Sequence, residues 1–299
     1  MTDPGDVSTS AGDSSTGGAT IGGATVGGGP VAEGPVGEER SLFVPDGEGW
    51  LPTALSRGPW DPNSLHGGPV AALMTRAVEQ MEAPIPARLA RITVELLRPV
   101  PVTPLLVETA LIRPGAKVST VEVTLRLAHD LAVIAIARAQ RIRVAAVEFP
   151  DGSQDEVPDF PPEQSEIEHW PGAADVTFHA NAVEHRFLRG SFSEVGPTFD
   201  WMRLAVPVVP GEVATGWQRA VACADFTNGI SSVAPFDGRS IFINPDLTVH
   251  LWREPVGEWI GSDAVTRTSA DGIGLAETAM WDRSGRVGRG LQSLYLQRD

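Results

Sequence analysis

Ile92-Thr-Val-Glu-Leu-Leu-Arg-Pro-Val100 and Leu247-Thr-Val-His-Leu-Trp-Arg-Glu-Pro-Val256 are near copies of one another. Thr93, Val94, Leu96 and Arg98 match Thr248, Val249, Leu251 and Arg253 at a constant offset of 155 (248 − 93). Each copy is followed by further stretches in which apolar and polar residues alternate, the period of a half-buried strand. In the first half these are residues 105–112 and 119–127, ahead of 132–144; in the second, 262–268 and 274–282, ahead of 288–297. Gln140 and Gln292 also match, at offset 152. An internal duplication is the simplest explanation.

One helix stands out upstream of the first copy. After Gly67-Gly68-Pro69 come Val70, Leu73, Met74, Ala77, Val78 and Met81, spaced i, i+3, i+4, i+7, i+8, i+11. That is an amphipathic stripe with Pro in the first turn, and it needs a surface to lie on. The second half offers a shorter pattern at Ala222, Phe226, Ile230 and Val233. Each half therefore reads as α+β: one helix followed by about four antiparallel strands that wrap it. The expected boundaries are a Gly-rich tail at 1–41, a first domain at 42–147, an acidic Pro-rich linker at 148–178 and a second domain at 179–299.

The tail holds eleven Gly within its first 37 positions, a composition expected to stay disordered because it buries too little surface. The net charge of −15 is concentrated in two segments: residues 1–40 carry −5 and residues 148–168 carry −8, leaving −2 for the remainder. No basic run exists to neutralise a phosphate backbone, so nucleic acid is not an expected partner. The single cysteine, Cys223, precludes an intrachain disulfide and suits a reducing cytoplasm. No apolar run reaches the roughly 18 residues of a membrane span, and no signal-peptide pattern opens the chain. The six histidines show no metal-ligand spacing with carboxylates or Cys223, and no Gly-x-Ser-x-Gly elbow is present.

The run Leu65-His66-Gly67-Gly68-Pro69-Val70 resembles the His-Gly-Gly opening of the central helix in hotdog thioesterases. The tandem layout resembles the acyl-CoA thioesterase II family, a double hotdog. That family carries an Asp at the second helix, a Thr or Ser at the start of the next strand and a Gln near the end of the last strand. The resemblance puts Asp225 in the first position, within Ala222-Cys-Ala-Asp-Phe226, and Gln292 in the third. Asn244, in Ile243-Asn-Pro-Asp246, stands where the family has its hydroxyl; an amide can also hold a water.

The resemblance implies hydrolysis of acyl-CoA to free acid and coenzyme A, with coenzyme A arriving as part of the substrate and no separate cofactor or metal. Asp225 would be the general base, Asn244 and Gln292 would orient it or the water, and the Gly67 and Gly68 amides at the helix N-terminus would face the oxyanion. His66 and Trp60 would border the substrate, and Arg98 and Arg253 could meet CoA phosphates. Because the glycines and Asp225 come from different halves, the site would form between them. Hotdog units usually assemble further, which implies a homodimer of such chains. Two other readings compete. Asp61-Pro-Asn-Ser-Leu-His66 is similar to the Asp-x-Asn-x-x-His motif of hotdog enoyl-CoA hydratases, and a double hotdog can also be a catalytically silent acyl-binding protein.

Overall fold

The computed structural model describes residues 40–83, 85–149, 155–160, 174 and 176–298. The expected tail, apart from its last two residues, and most of the expected linker lie outside them.

In the first half, β1 (Phe43–Asp46) and β2 (Gly49–Pro52) precede helix α1 (Gly67–Gln80), followed by β3 (Ala87–Leu96), β4 (Leu105–Arg113), β5 (Val118–Leu127) and β6 (Val133–Arg143). In the second half, a turn of helix α2 (Phe178–Asn181) leads to β7 (Val183–Arg189) and β8 (Thr198–Leu204). Helices α3 (Gly216–Ala224) and α4 (Thr227–Ile230) come next, then β9 (Ser240–Ile243), β10 (Asp246–Leu251), β11 (Trp259–Thr268), β12 (Ile273–Asp282) and β13 (Gly285–Arg298). The strands form one antiparallel sheet in the order β1-β2-β4-β5-β6-β3-β10-β13-β12-β11-β8-β7, with β9 beside β13. Alternation is clearest in β5, β10 and β12, whereas β8 is buried along five consecutive residues. In β5, for example, Ser119, Val121, Val123, Leu125 and Leu127 face the core, with the residues between them half-buried.

The two copies that open the sequence argument are β3 and β10, and they pair with each other. Their register runs Glu95↔Asp246, Val94↔Leu247, Thr93↔Thr248, Ile92↔Val249 and Arg91↔His250. An antiparallel pair of duplicated strands is centred on one matched residue, here Thr93 and Thr248, whose hydroxyls are hydrogen-bonded at 3.1 Å. Strand order repeats outward from this pair, β6-β5-β4 on one side and β13-β12-β11 on the other, so the halves are related by a pseudo-twofold axis through it. Thr248→Val is expected to lower the unfolding free energy by about 1 kcal/mol, read as a drop in the urea midpoint. An unchanged midpoint would mean the two hydroxyls contribute nothing to the junction.

The register corrects one sequence match. Thr93 lies opposite Arg138 and Thr248 opposite Leu291, an offset of 153 (291 − 138) between β6 and β13. The counterpart of Gln292 is therefore Ala139, not Gln140. Both Ala139 and Gln292 are fully buried, whereas Gln140 is half-buried on the opposite face of β6.

Helix α1 also differs from its single apolar stripe. Besides Val70, Leu73, Met74 and Val78 it buries Gly68, Ala71 and Ala72, because α3 packs on a second side. The second helix lies earlier than its sequence pattern suggested. α3 is built on Trp217, Ala220, Val221 and Cys223 and stops at Asp225, after which α4 continues as a separate turn. Among the described residues no helix is long and apolar enough to cross a membrane.

Candidate active site

The break between α3 and α4 is what presents Asp225. It is the C-cap residue of α3 at φ −71°, ψ −13°, with its own N–H donated to Cys223 O. Its side chain is not used for capping, so the carboxylate projects sideways toward α1. There it meets the helix N-terminus so closely that a Cβ on Gly67 would lie 2.7 Å from Asp225 Oδ2 and 3.0 Å from Oδ1. Residue 67 must lack a side chain for this approach.

Three side chains converge on the carboxylate, whose own exposure is only 4%. Asn244 Nδ2 donates to Oδ1 at 2.8 Å and Gln292 Nε2 donates to the same oxygen at 3.0 Å. His66 Nδ1 sits 2.8 Å from Oδ2. Gln292 is itself fixed at its other end, where Oε1 accepts from the Asn228 N–H at 3.1 Å. Asn244 reaches the site because the second half interrupts a strand that is continuous in the first. The stretch equivalent to β3 is split into β9 and β10 at Asn244-Pro245, where proline has no N–H for the ladder.

His66 is the N-cap of α1. Its Nδ1 lies 3.1 Å from the Gly68 N–H as well as beside Asp225. A lone pair on that nitrogen serves the Gly68 amide; a proton there serves the carboxylate. The imidazole is wedged between Phe178 and Phe226, ring centroids 5.1 and 4.7 Å away. The expectation that Gly67 and Gly68 offer equivalent donors is corrected by this arrangement. Gly68 is buried between α1 and α3, its N–H directed at His66, and a Cβ there would lie 2.6 Å from Ala222 O. Gly67 lines the cavity.

That cavity has a volume of about 440 Å³ and runs from Asp225, His66 and Gly67 past Phe226, Phe242 and Ile243. Trp60 stands at its edge, 58% exposed and 5.3 Å from the Phe236 ring. Sequence reasoning missed Asn228, which also lines the cavity and carries a buried Oδ1 with no hydrogen-bond partner among the described residues. Its position, one turn beyond Asp225, was the available signal.

The two arginines matched by the repeat do not line this cavity. Arg98 is exposed. Arg253 forms a two-pronged ion pair with Asp282, whose side chain is fully buried. Burial raises the Asp282 carboxyl, but Arg253 and the Val256 and Ser284 amides outweigh that and hold it below the usual range. Asp61 lies in the cavity wall as part of a tight turn, accepting from the Asn63 N–H and the Ser64 hydroxyl at 2.9 and 2.7 Å. Those two bonds lower its pKa. Cys223 is buried, and burial followed by the nearby Asp200 pushes its thiol far up, which leaves it inert as a nucleophile. Among the described residues no three His, Cys, Asp or Glu side chains are grouped to hold a metal ion.

Residues 56–142 match the family model described as acyl-CoA thioesterase N-terminal domain, and residues 150–296 match its C-terminal counterpart. The chain belongs to the acyl-CoA thioesterase family. Solved structures agree on the double-hotdog fold. A hot dog fold protein from Alicyclobacillus acidocaldarius is 17% identical over 86% of this chain and 96% of its own, with a TM-score of 0.66. A tesB protein from Mycobacterium avium subs paratuberculosis is 19% identical over 78% and 88%, TM-score 0.59. An acyl-CoA thioesterase II from Mycobacterium marinum is 18% identical over 79% and 90%, TM-score 0.58. No curated protein matches. The three positions that the sequence resemblance assigned, Asp225, Asn244 and Gln292, are in direct contact in this fold.

Proposed function

We propose that this chain hydrolyses acyl-CoA thioesters, with Asp225 as the base. One observation carries the proposal: a buried carboxylate, fixed by Asn244, Gln292 and His66, lies against a glycine at a helix N-terminus on the wall of a largely apolar cavity.

The chemistry follows from the free positions. A carboxylate oxygen accepts in about two directions. Asn244 and Gln292 occupy both on Oδ1, and His66 occupies one on Oδ2. The remaining Oδ2 position is where a water would be held. The water oxygen attacks the thioester carbonyl carbon and its proton passes to Oδ2. The negative charge that develops on the carbonyl oxygen is met by the Gly67 amide and the positive end of α1, with the Asn228 side-chain amide in the same wall. Collapse breaks the carbon–sulfur bond, and the departing thiolate takes the proton from Asp225. Free acid and CoA leave, and the carboxylate is restored.

The hydratase reading needs Asp61 and His66 to act together on water. Here His66 faces Asp225, and both Asp61 oxygens are engaged in their own turn, which favours hydrolysis. The test is thiol release from a panel of acyl-CoAs of different chain length. Free CoA is the expected product. Loss of enoyl absorbance without free CoA would establish hydration instead, and neither signal would leave a binding protein. Asn244→Ala is expected to lower kcat roughly tenfold, since one of two hydrogen bonds on Oδ1 is worth about 1.5 kcal/mol when the acceptor is charged. An unchanged kcat would remove Asn244 from the site.

A further inference from the structure

The pseudo-twofold axis generates a second position equivalent to the active site, and the chain has a cavity there. It measures about 940 Å³ and lies between the C-terminal end of α1, the start of β3, the end of β6 and residues 251–254 at the end of β10 and just beyond. Its catalytic groups are gone. Gln292 corresponds to Ala139 by strand register, Asn244 to Leu89 at the offset of 155, and Asp225 to Arg76 when Gly216 is set on Gly67. Arg76 is bound to Glu212 through Nε at 2.7 Å and Nη2 at 2.5 Å. The N-terminus of α3, the counterpart of Gly67, is also covered: the Gly216 N–H donates to Glu254 Oε1 at 3.1 Å.

What replaces the catalytic groups is positive charge. By the same register Leu294 and Leu296, which face the interior of β13, correspond to Arg141 and Arg143 on the cavity side of β6. Arg141 is only 5% exposed. It donates Nη1 to Met81 O at 2.7 Å, which caps α1, but no carboxylate among the described residues pairs with it. Arg143, two residues on and at the rim, is exposed and likewise has no acidic partner among the described residues. Three acids line the wall; Glu82 forms no ion pair among the described residues and offers Arg141 only its backbone carbonyl, 3.5 Å from Nη2. Glu79 accepts from the Thr215 hydroxyl and from Gln218 Nε2, both at 2.8 Å, and burial pushes its carboxyl up toward the neutral form. Glu254 is held by Gly216.

A buried guanidinium without a counter-ion is costly, and a pair of arginines on one strand face matches the spaced oxygens of a diphosphate. We propose that this second cavity is a non-catalytic binding site for a phosphate-bearing anion, held by Arg141 and Arg143. The ligand is a free oligophosphate or the phosphate end of a larger molecule such as CoA. The proposal is independent of which reaction the first cavity performs, because binding is read without turnover.

Isothermal titration of the full chain with inorganic pyrophosphate tests it, with free CoA and octanoate as parallel titrants. Pyrophosphate is expected to bind at one site per chain, at least tenfold more weakly to Arg143→Glu and equally well to Asp225→Asn. Arg143 is exposed, so its variant should melt with the parent; Arg143→Gln, expected to weaken binding to a lesser degree, repeats the test with a milder change. If CoA also loses a binding event in Arg143→Glu, the phosphates belong to CoA; if only pyrophosphate does, the ligand is a smaller phosphate. Absence of pyrophosphate binding at millimolar concentration, binding unaffected by Arg143→Glu, or a preference for octanoate would each overturn the assignment.

Discussion

Replacing Asp225 with Asn is expected to cut kcat/KM for acyl-CoA hydrolysis by about 100- to 10,000-fold, the range for losing a general base, while the melting temperature barely moves. The two halves of this expectation come from the same contacts. Asn has the shape of Asp, so its carbonyl oxygen can take the Oδ1 position and still accept from Asn244 and Gln292. Its NH2 then occupies the Oδ2 position, where it meets His66 Nδ1 once that ring's proton has moved to Nε2. The new donor shares that lone pair with the Gly68 N–H, and Asn244 and Gln292 keep their acceptor, so little stability is lost. What disappears is the acceptor that would take a proton from water. Thiol release with the parent and variant, alongside thermal melts of both, reads the two outcomes. Undiminished release by a folded Asp225→Asn protein would end the case for this carboxylate as base.

The duplication made much of the fold legible. The copies at β3 and β10 showed two equivalent halves and alternation located most of their strands, but which strands pair, including β3 with β10, appeared only in the structure. The helices were harder. α1 shows its stripe because one of its sides lies against β3, β4 and β5, whereas α3 is buried among small residues that carry no clear period, and its break at Asp225 has no proline or glycine to announce it. The match of Gln140 to Gln292 failed for a related reason: a one-residue slip leaves composition unchanged but turns the side chain to the other face. In the site, Asp225, Asn244 and Gln292 were each visible from the family resemblance and the structure brings all three together. The pairing of His66 with Asp225 was not visible, since nothing in a sequence tells which of two neighbouring carboxylates, Asp61 or Asp225, a histidine faces.

Gly67→Ala and Gly68→Ala should fail in opposite ways, although the residues are adjacent and look alike in the sequence. At position 67 a methyl group would fall 2.7 Å from Asp225 Oδ2, closer than such contacts occur, and the nearest obstacle is a side chain that can swing away. The protein should fold, but the carboxylate would leave the line between water and thioester, a displacement of the size that costs about 100-fold in kcat. At position 68 the methyl would fall 2.6 Å from Ala222 O, a backbone atom in the last turn of α3. Backbone cannot swing aside, so α1 and α3 must separate, a strain of about 1–3 kcal/mol that should appear as a lowered melting temperature. Activity in Gly68→Ala would then suffer only through loss of folded protein and be largely restored when rates are referred to the folded fraction. Melts and thiol-release rates on the two variants decide the matter. If Gly67→Ala were the less stable of the two, or Gly68→Ala the less active per folded molecule, the division of labour between these glycines would be wrong.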